Sequence, residues 1–362
     1  MRKTIVYIRI SSIAKMQITG ILMLGKEKHM DVPYITMQET KAHMPAIGVG
    51  TFGSDHVSNE DMAKSVKIAL DLGYRNIDCA RVYGNEKEIG EVLASYPVKR
   101  EDLWITSKLW NDMHGKKNVA ISVRQSLSDL QLDYLDLYLV HWPFPNFHPP
   151  KCDVESRSND ARPYIHEEFM ETWQAMEQLV DEGLVRHIGT SNMTKAKLEL
   201  LLASCRIRPA AQEMELHPCF QQKELVSYVK EQNIIPIGFC PLGSPNRPER
   251  DMTEGDAVDM QHPIVVSLAK AHNCHPANIC LKWANAQGIV PIPQSTKERN
   301  LKSNLESILD DPLTKEEMTL LNEADCNSRL VKGQVFLWKE AKSWTELWDE
   351  DGTIACPAHY RK

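Results

Sequence analysis

No apolar run in this chain approaches the eighteen or so residues that a membrane-spanning helix needs, so no membrane partner is expected. A basic surplus is also missing. Against 49 Asp and Glu stand 42 Lys and Arg, a formal net charge of −7 with no Lys/Arg run, which argues against a nucleic-acid partner. The nine cysteines are odd in number and share no repeated spacing, so they suit a reducing, cytoplasmic setting better than a disulfide framework. "HNCH" (272–275) has metal-ligand residue types, but it sits between an apolar helical stretch and a proline with no partner cluster, and no metal is expected. A clean secretory signal is lacking as well: Arg9 and Lys15 interrupt the apolar character of the first thirty residues and no small-residue cleavage site follows. Met30 is a candidate second initiator, and residues 1–30 are expected to lie outside the fold.

What is present reads as an ordinary globular enzyme, 42% hydrophobic and 25% charged over 362 residues. Eight short apolar runs recur: "AIGVGTF", "YRNIDCA", "DLWITSKL", "DLYLVHW", "RHIGTSN", "AAQEMEL", "IIPIGFC" and "IVPIPQ". Near-continuous Val/Ile/Leu segments of this kind mark parallel strands buried on both faces. Helical patterns separate them. Met62, Val66, Ala69 and Leu70 share a face between a capping Ser58 and a terminating Gly73; Val119, Val123, Leu127 and Leu130 form a second stripe; Phe169, Trp173, Met176 and Val180 form a third, ending at Gly183. Leu225, Val226 and Val229 mark another, and 263–273 and 276–287 supply two more. The methionines and aromatics in these stripes are core positions. An eightfold β-α alternation predicts an α/β protein with a single-domain (β/α)8 TIM barrel over residues 31–330, followed by a tail at 331–362. A doubly wound sheet is the alternative.

"GVGTFG" (48–53) matches the dinucleotide fingerprint G-x-G-x-x-G, and Asp71 follows at about the right distance. The fingerprint requires its third glycine at a helix start, facing the pyrophosphate. Here "SDHVSN" follows Gly53, the helical pattern begins only near Asn59, and Asp71 falls late inside that helix. The glycines instead predict a tight strand end close to a ligand.

Polar residues collect at the C-terminal ends of the predicted strands, where barrel enzymes place their chemistry: Thr51, Asp78, Lys108, His141, Ser191, Asn192, Gln212 and Glu213. A tyrosine is a poor proton donor at neutral pH unless its phenolate is stabilised, which a neighbouring ammonium does. That ammonium needs a carboxylate partner when buried. Asp78, Tyr83, Lys108 and His141 in one pocket would therefore make an unusually acidic phenol beside a neutral imidazole able to orient a substrate oxygen.

The motifs "DCARVYGNE" (78–86), "SKLW" (107–110), "LVHWP" (139–143), "GTSN" (189–192), "QEMELHP" (212–218), "FCPLGSP" (239–245) and "IPQS" (292–295) fall in order. Together they resemble the aldo-keto reductases, NAD(P)H-dependent carbonyl reductases built on a (β/α)8 barrel, across residues 34–325. The resemblance implies that Tyr83 is the general acid, Lys108 its neighbour, Asp78 the partner of Lys108 and His141 the orienting group. It places Ser191, Asn192 and Gln212 around the nicotinamide carboxamide and Phe239 against the ring, where the family usually has tyrosine. Thr51 lies at the mouth of the site, and Leu242, Ser244 and Asn246 fall on the loop over the pyrophosphate. Gln294, Ser295, Thr296, Lys297, Asn300 and Asn304 follow at the adenosine end, and Phe52, Trp110 and Trp142 line the substrate pocket.

NADPH-preferring members carry "IPKS" and a later Arg for the 2′-phosphate; this chain has Gln294 and Asn300 there, with Lys297 and Arg299 close enough to substitute. NADP(H) is the coenzyme expected, with NAD(H) or dual use as the alternatives. A small carbonyl or alcohol is the partner implied, on a monomer or weak homodimer. The long loop 146–168 and the tail tryptophans Trp338, Trp344 and Trp348 are candidates to shape the pocket, although docking of the tail to the barrel explains those tryptophans equally well. The competing readings are a coenzyme-binding, regulatory or channel-associated barrel without turnover, and a hydrolytic barrel using Asp78 and Glu213.

Overall fold

The computed structural model describes residues 32–149, 152–153 and 156–360. The expectations for residues 1–30 lie outside them.

The eight apolar runs become eight strands: β1 (Val49–Gly50), β2 (Asn76–Asp78), β3 (Trp104–Leu109), β4 (Leu135–Val140), β5 (Val185–Ser191), β6 (Ala211–Glu215), β7 (Ile235–Phe239) and β8 (Val290–Pro291). Each pairs in parallel with the next in chain order. The ring closes where Gly48 N–H donates to Pro291 O at 3.0 Å and Gly50 N–H to Pro293 O at 3.1 Å. The result is a (β/α)8 barrel.

"GVGTFG" has its role in that closure. A Cβ on Gly50 would stand 2.7 Å from Ile292 O, and one on Gly48 would press on Asn76 and Ile292. The close approach at Gly48 and Gly50 is to the chain around the last strand, and Gly50 and Gly53 also line the cavity at the C-terminal rim, where the sequence expects a strand end close to a ligand. Asp71 pairs with Lys67 on a helix surface at 2.8 Å, far in role from a ribose contact.

Helices α1 (Asn59–Leu72), α2 (Glu86–Ser95), α3 (Asn118–Leu130), α4 (His166–Asp181), α5 (Lys195–Ser204) and α6 (Lys223–Glu231) alternate with the first seven strands. Helices α7 (Pro263–Ala271) and α8 (Pro276–Ala286) precede β8, and α9 (Glu298–Ser307) and α10 (Lys315–Asn322) follow it. Ser58 caps α1 by accepting from Asp61 N–H, and Gly73 and Gly183 stand at the ends of α1 and α4. Met62, Val66, Val119, Val123, Phe169, Trp173 and Met176 all pack into the core, as their spacing requires. Each such large side chain contributes about 2 kcal/mol of burial.

A second apolar cluster fills the barrel itself, with Trp104, Leu137, Ala211, Ile235 and Val290. Ile35 and Met44 join it from a hairpin, Tyr34–Thr36 paired with His43–Pro45. Trp104, Ala211 and Ile235 begin their strands, so the hairpin plugs the N-terminal end. The C-terminal end is left open for a site. A third cluster there joins Trp110, Trp142 and Phe144 to Phe336, Trp338 and Trp348 of the tail. Among the described residues no helix is long and apolar enough to cross a membrane.

Candidate active site

Asp78 ends β2, Lys108 lies near the end of β3, and His141 follows β4. Tyr83 enters from a single 3-10 turn, Arg81–Tyr83, directly after β2. Lys108 has no exposed surface. Its ammonium pairs with Asp78 Oδ1 and donates to Cys79 O at 3.1 Å and to the Tyr83 hydroxyl at 3.4 Å. Glu213 Oε1 lies 3.4 Å from the same nitrogen. The His141 ring stands edge-on to Tyr83 with centroids 5.9 Å apart. The four residues named from the sequence are therefore together.

Their electrostatics differ from expectation at one point. Burial pushes the Tyr83 phenol above its ordinary range. The Lys108 ammonium pulls it down, but the negative charges of Asp78 and Glu213 add to burial and the net direction is up. The unusually acidic phenol expected from the sequence is corrected to a phenol that keeps its proton. Burial raises both carboxyls, and more so at Glu213, where the charge of Asp78 adds to it. Burial alone would lower Lys108, yet Asp78, Glu213 and Tyr83 together hold it well above its ordinary value. His141 is held well below, by burial and then by the Lys108 charge, so its imidazole is neutral.

A cavity of about 1320 Å³ runs across this rim. Phe52, Tyr83, Trp110, His141 and Trp142 line one end. Thr51, Asn192 and Phe239 lie along it, and Leu242, Ser244 and Asn246 follow on the loop after β7. Gln294, Ser295, Thr296, Lys297, Asn300 and Asn304 line the far end, with Arg299 beside them. Thr51 is held in place because its hydroxyl donates to Asp78 O at 2.8 Å.

Two residues named from the sequence stand behind the wall. The Gln212 amide accepts from Thr190 and donates to Met193 O at 2.9 Å, and Ser191 Oγ accepts from Asn192. Asn192 itself reaches the cavity. Its amide donates to His141 O at 3.0 Å, while its Oδ1, like His141 Nδ1, is buried without a hydrogen-bond partner among the described residues. A nicotinamide carboxamide offers donors and acceptors that suit such atoms.

Several lining residues were not legible beforehand. Arg250 and Asp55 pair at 2.5 Å from the loops after β7 and β1. Phe336 and Val331 bring the tail to the substrate end, whereas Trp338, Trp344 and Trp348 pack behind it and not on the cavity wall. Tail docking, not pocket lining, is what those tryptophans do. Glu213, named from the sequence as a polar strand-end residue and as half of a hydrolytic carboxylate pair, lies beside Lys108. "HNCH" serves structure: His272 joins Asp311 and Glu317, and His275 caps α8.

Comparison with known proteins adds to this geometry. The model of the Aldo/keto reductase family matches residues 46–325. The Synechocystis protein named aldo/keto reductase slr0942 is 40% identical over 313 residues, 85% of this chain and 94% of that protein. Aldo-keto reductase family 1 member A1 of Bos taurus is 38% identical over 297 residues, 81% and 89% respectively. Among solved structures, the Bombyx mori aldo-keto reductase AKR2E4, in complex with NADP, superposes with a TM-score of 0.74 at 30% identity, covering 86% of this chain and 98% of that one.

Proposed function

This chain belongs to the aldo/keto reductase family, and from that premise we propose that it reduces the carbonyl of an aldehyde, ketone or open-chain sugar to an alcohol, reversibly, with Tyr83 as the proton donor. The observation that carries the reading is the Lys108 ammonium, 3.4 Å from the Tyr83 hydroxyl and clamped from behind by Asp78.

The cleft fits a nicotinamide dinucleotide. Asn192 Oδ1 offers a buried acceptor to a carboxamide N–H, Phe239 a flat face, and the loop bearing Leu242 and Ser244 a cover for the pyrophosphate. When bound in reduced form, the coenzyme supplies the hydride for the carbonyl carbon. The neutral His141 orients the carbonyl oxygen by a hydrogen bond. Tyr83 gives that oxygen its proton, and the phenolate left behind is stabilised by the adjacent ammonium. Trp110, Trp142 and Phe336 exclude water from the acceptor. In the oxidative direction the same phenolate takes the alcohol proton. Tyr83→Phe is expected to abolish turnover of aromatic aldehydes while coenzyme binding, followed by tryptophan quenching, is retained. Near-normal turnover in that variant would remove Tyr83 from its role. Coenzyme binding without turnover of any aldehyde by the native chain would favour the regulatory reading instead.

For the coenzyme, we infer a preference for NADP(H), held at its 2′-phosphate by Lys297 and Arg299. Both are exposed at the far end of the cavity, and neither has an ion-pair partner among the described residues. The double variant Lys297→Met/Arg299→Leu is expected to weaken NADPH binding about tenfold or more and to leave NADH unchanged. Equal losses for both coenzymes would refute the assignment.

A further inference from the structure

A second buried charged group lies below the cavity. His217, just after β6, has no exposed surface. Its Nε2 lies 3.0 Å from Glu215 Oε1, and its Nδ1 lies 3.0 Å from Asp259 Oδ1 and 2.9 Å from Oδ2. A neutral imidazole has one N–H, so it would aim a lone pair at one of the two carboxylates. An imidazolium satisfies both. Burial opposes that charge, but Asp259 and Glu215 outweigh it and push the ring up to about 9.

Each carboxylate also holds a different wall of the cleft. Glu215 accepts the backbone N–H groups of Leu330, at 2.7 Å, and Val331, at 2.9 Å, where the tail leaves the barrel. Val331 and Phe336 line the substrate end. Asp259 accepts from Cys219 N–H at 2.8 Å. Asp259 is itself carried on the loop after β7, which folds back against this carboxylate at Gly243, whose φ is +73 and whose Cβ, if present, would collide with Asp259 Oδ2. Leu242 and Ser244, on either side of that turn, line the coenzyme end. His217, Glu215 and Asp259 are not on the cavity wall themselves, and act only through the two segments they grip.

We propose that His217 is a positioning residue that ties the coenzyme-side loop to the substrate-side tail, so that filling either end of the cleft tightens the other. The proposal rests on the reading of this cleft as a coenzyme and carbonyl site. Binding at one end orders its own wall, the clamp transmits that order, and linkage requires the effect to be reciprocal.

The test is NADPH titration by tryptophan quenching, with and without saturating benzyl alcohol, which cannot react with the reduced coenzyme. In the native chain benzyl alcohol is expected to tighten NADPH about fivefold or more. His217→Gln, which leaves two uncompensated carboxylates, is expected to bring that ratio to about one and to raise the KM for benzaldehyde more than it lowers kcat. Should this variant fail to fold, Glu215→Gln/His217→Gln/Asp259→Asn carries no stranded charge and is expected to lose the coupling likewise. A merely structural histidine would lower Tm and leave the ratio intact. An unchanged ratio in a folded variant, or no tightening in the native chain, overturns the proposal. Failure of the native chain to bind either coenzyme would instead sink the reading of the cleft on which it rests.

Discussion

Lys108 keeps its charge without water because two carboxyls and a phenol surround it, and the same logic recurs at His217. Buried charges persist only where partners replace hydration. For His217 this has a pH consequence with a definite sign. Its folded-state value of about 9 lies above the 6.5 of a free imidazole, so its contribution to stability is complete below pH 6.5 and is lost as the pH rises through about 9. Glu215 and Asp259, which face it, are both held below the ordinary carboxylate range: burial would raise each, but the imidazolium outweighs it, so they stay charged throughout that window. Burial pushes the neighbouring Cys219 thiol up, leaving it neutral, and lowers Arg329 to about 10, so its loss begins later. The Tm of the native chain is expected to fall between pH 6.5 and 9 more steeply than that of His217→Gln. Parallel curves in differential scanning calorimetry would show that the ring does not hold a proton.

Among the elements, the strands were the most legible. A strand covered by helices outside and packed inside must be apolar on both faces, and that composition is local. Helices with a one-sided stripe, such as α3 and α4, were equally plain. Helix α5 was not, because "KAKLELLLAS" carries leucines around much of its circumference and so shows no face. Short α9 and α10 have too few apolar positions to display a period. At β1 the chain has little tolerance for a side chain. Gly50→Ala places a methyl 2.7 Å from Ile292 O, and backbone cannot swing aside as a side chain can. The substitution is expected to lower unfolding free energy by about 1–3 kcal/mol in urea titration. A loss below the precision of that measurement would mean that β1 and β8 can part at no cost.

Across the whole molecule, the tail is joined to the barrel by a buried ion pair. Lys197, at the start of α5, pairs with Asp349 and donates to Leu347 O at 2.9 Å, and Thr194 donates to the same carboxylate. Arg329 lies 3.5 Å over the Trp348 ring. These contacts fix the segment from which Phe336 reaches the cavity. Asp349→Ala strands the Lys197 ammonium, a change expected to cost about 3–5 kcal/mol where it cannot relax. Release of the tail is the relaxation available. The variant is expected to be cleaved in the tail by trypsin faster than the native chain and to show a raised KM for aromatic aldehydes. Unaltered cleavage would mean that the aromatic cluster alone retains the tail.

The order of strands, the barrel and the polar residues at its rim could be read from the chain alone, because each is a property of residues a few positions apart. So could the grouping of Asp78, Tyr83, Lys108 and His141, since successive strand ends of a closed barrel must meet. The direction of the Tyr83 shift could not, because it depends on how deeply folding buries the phenol and on how the charges of Lys108, Asp78 and Glu213 balance around it. Neither could the bond from Glu215 to Leu330 and Val331, more than a hundred residues away, nor the choice of Phe336 over the tail tryptophans as the pocket wall. Desolvation and through-space contact are set by chain segments that only folding brings side by side.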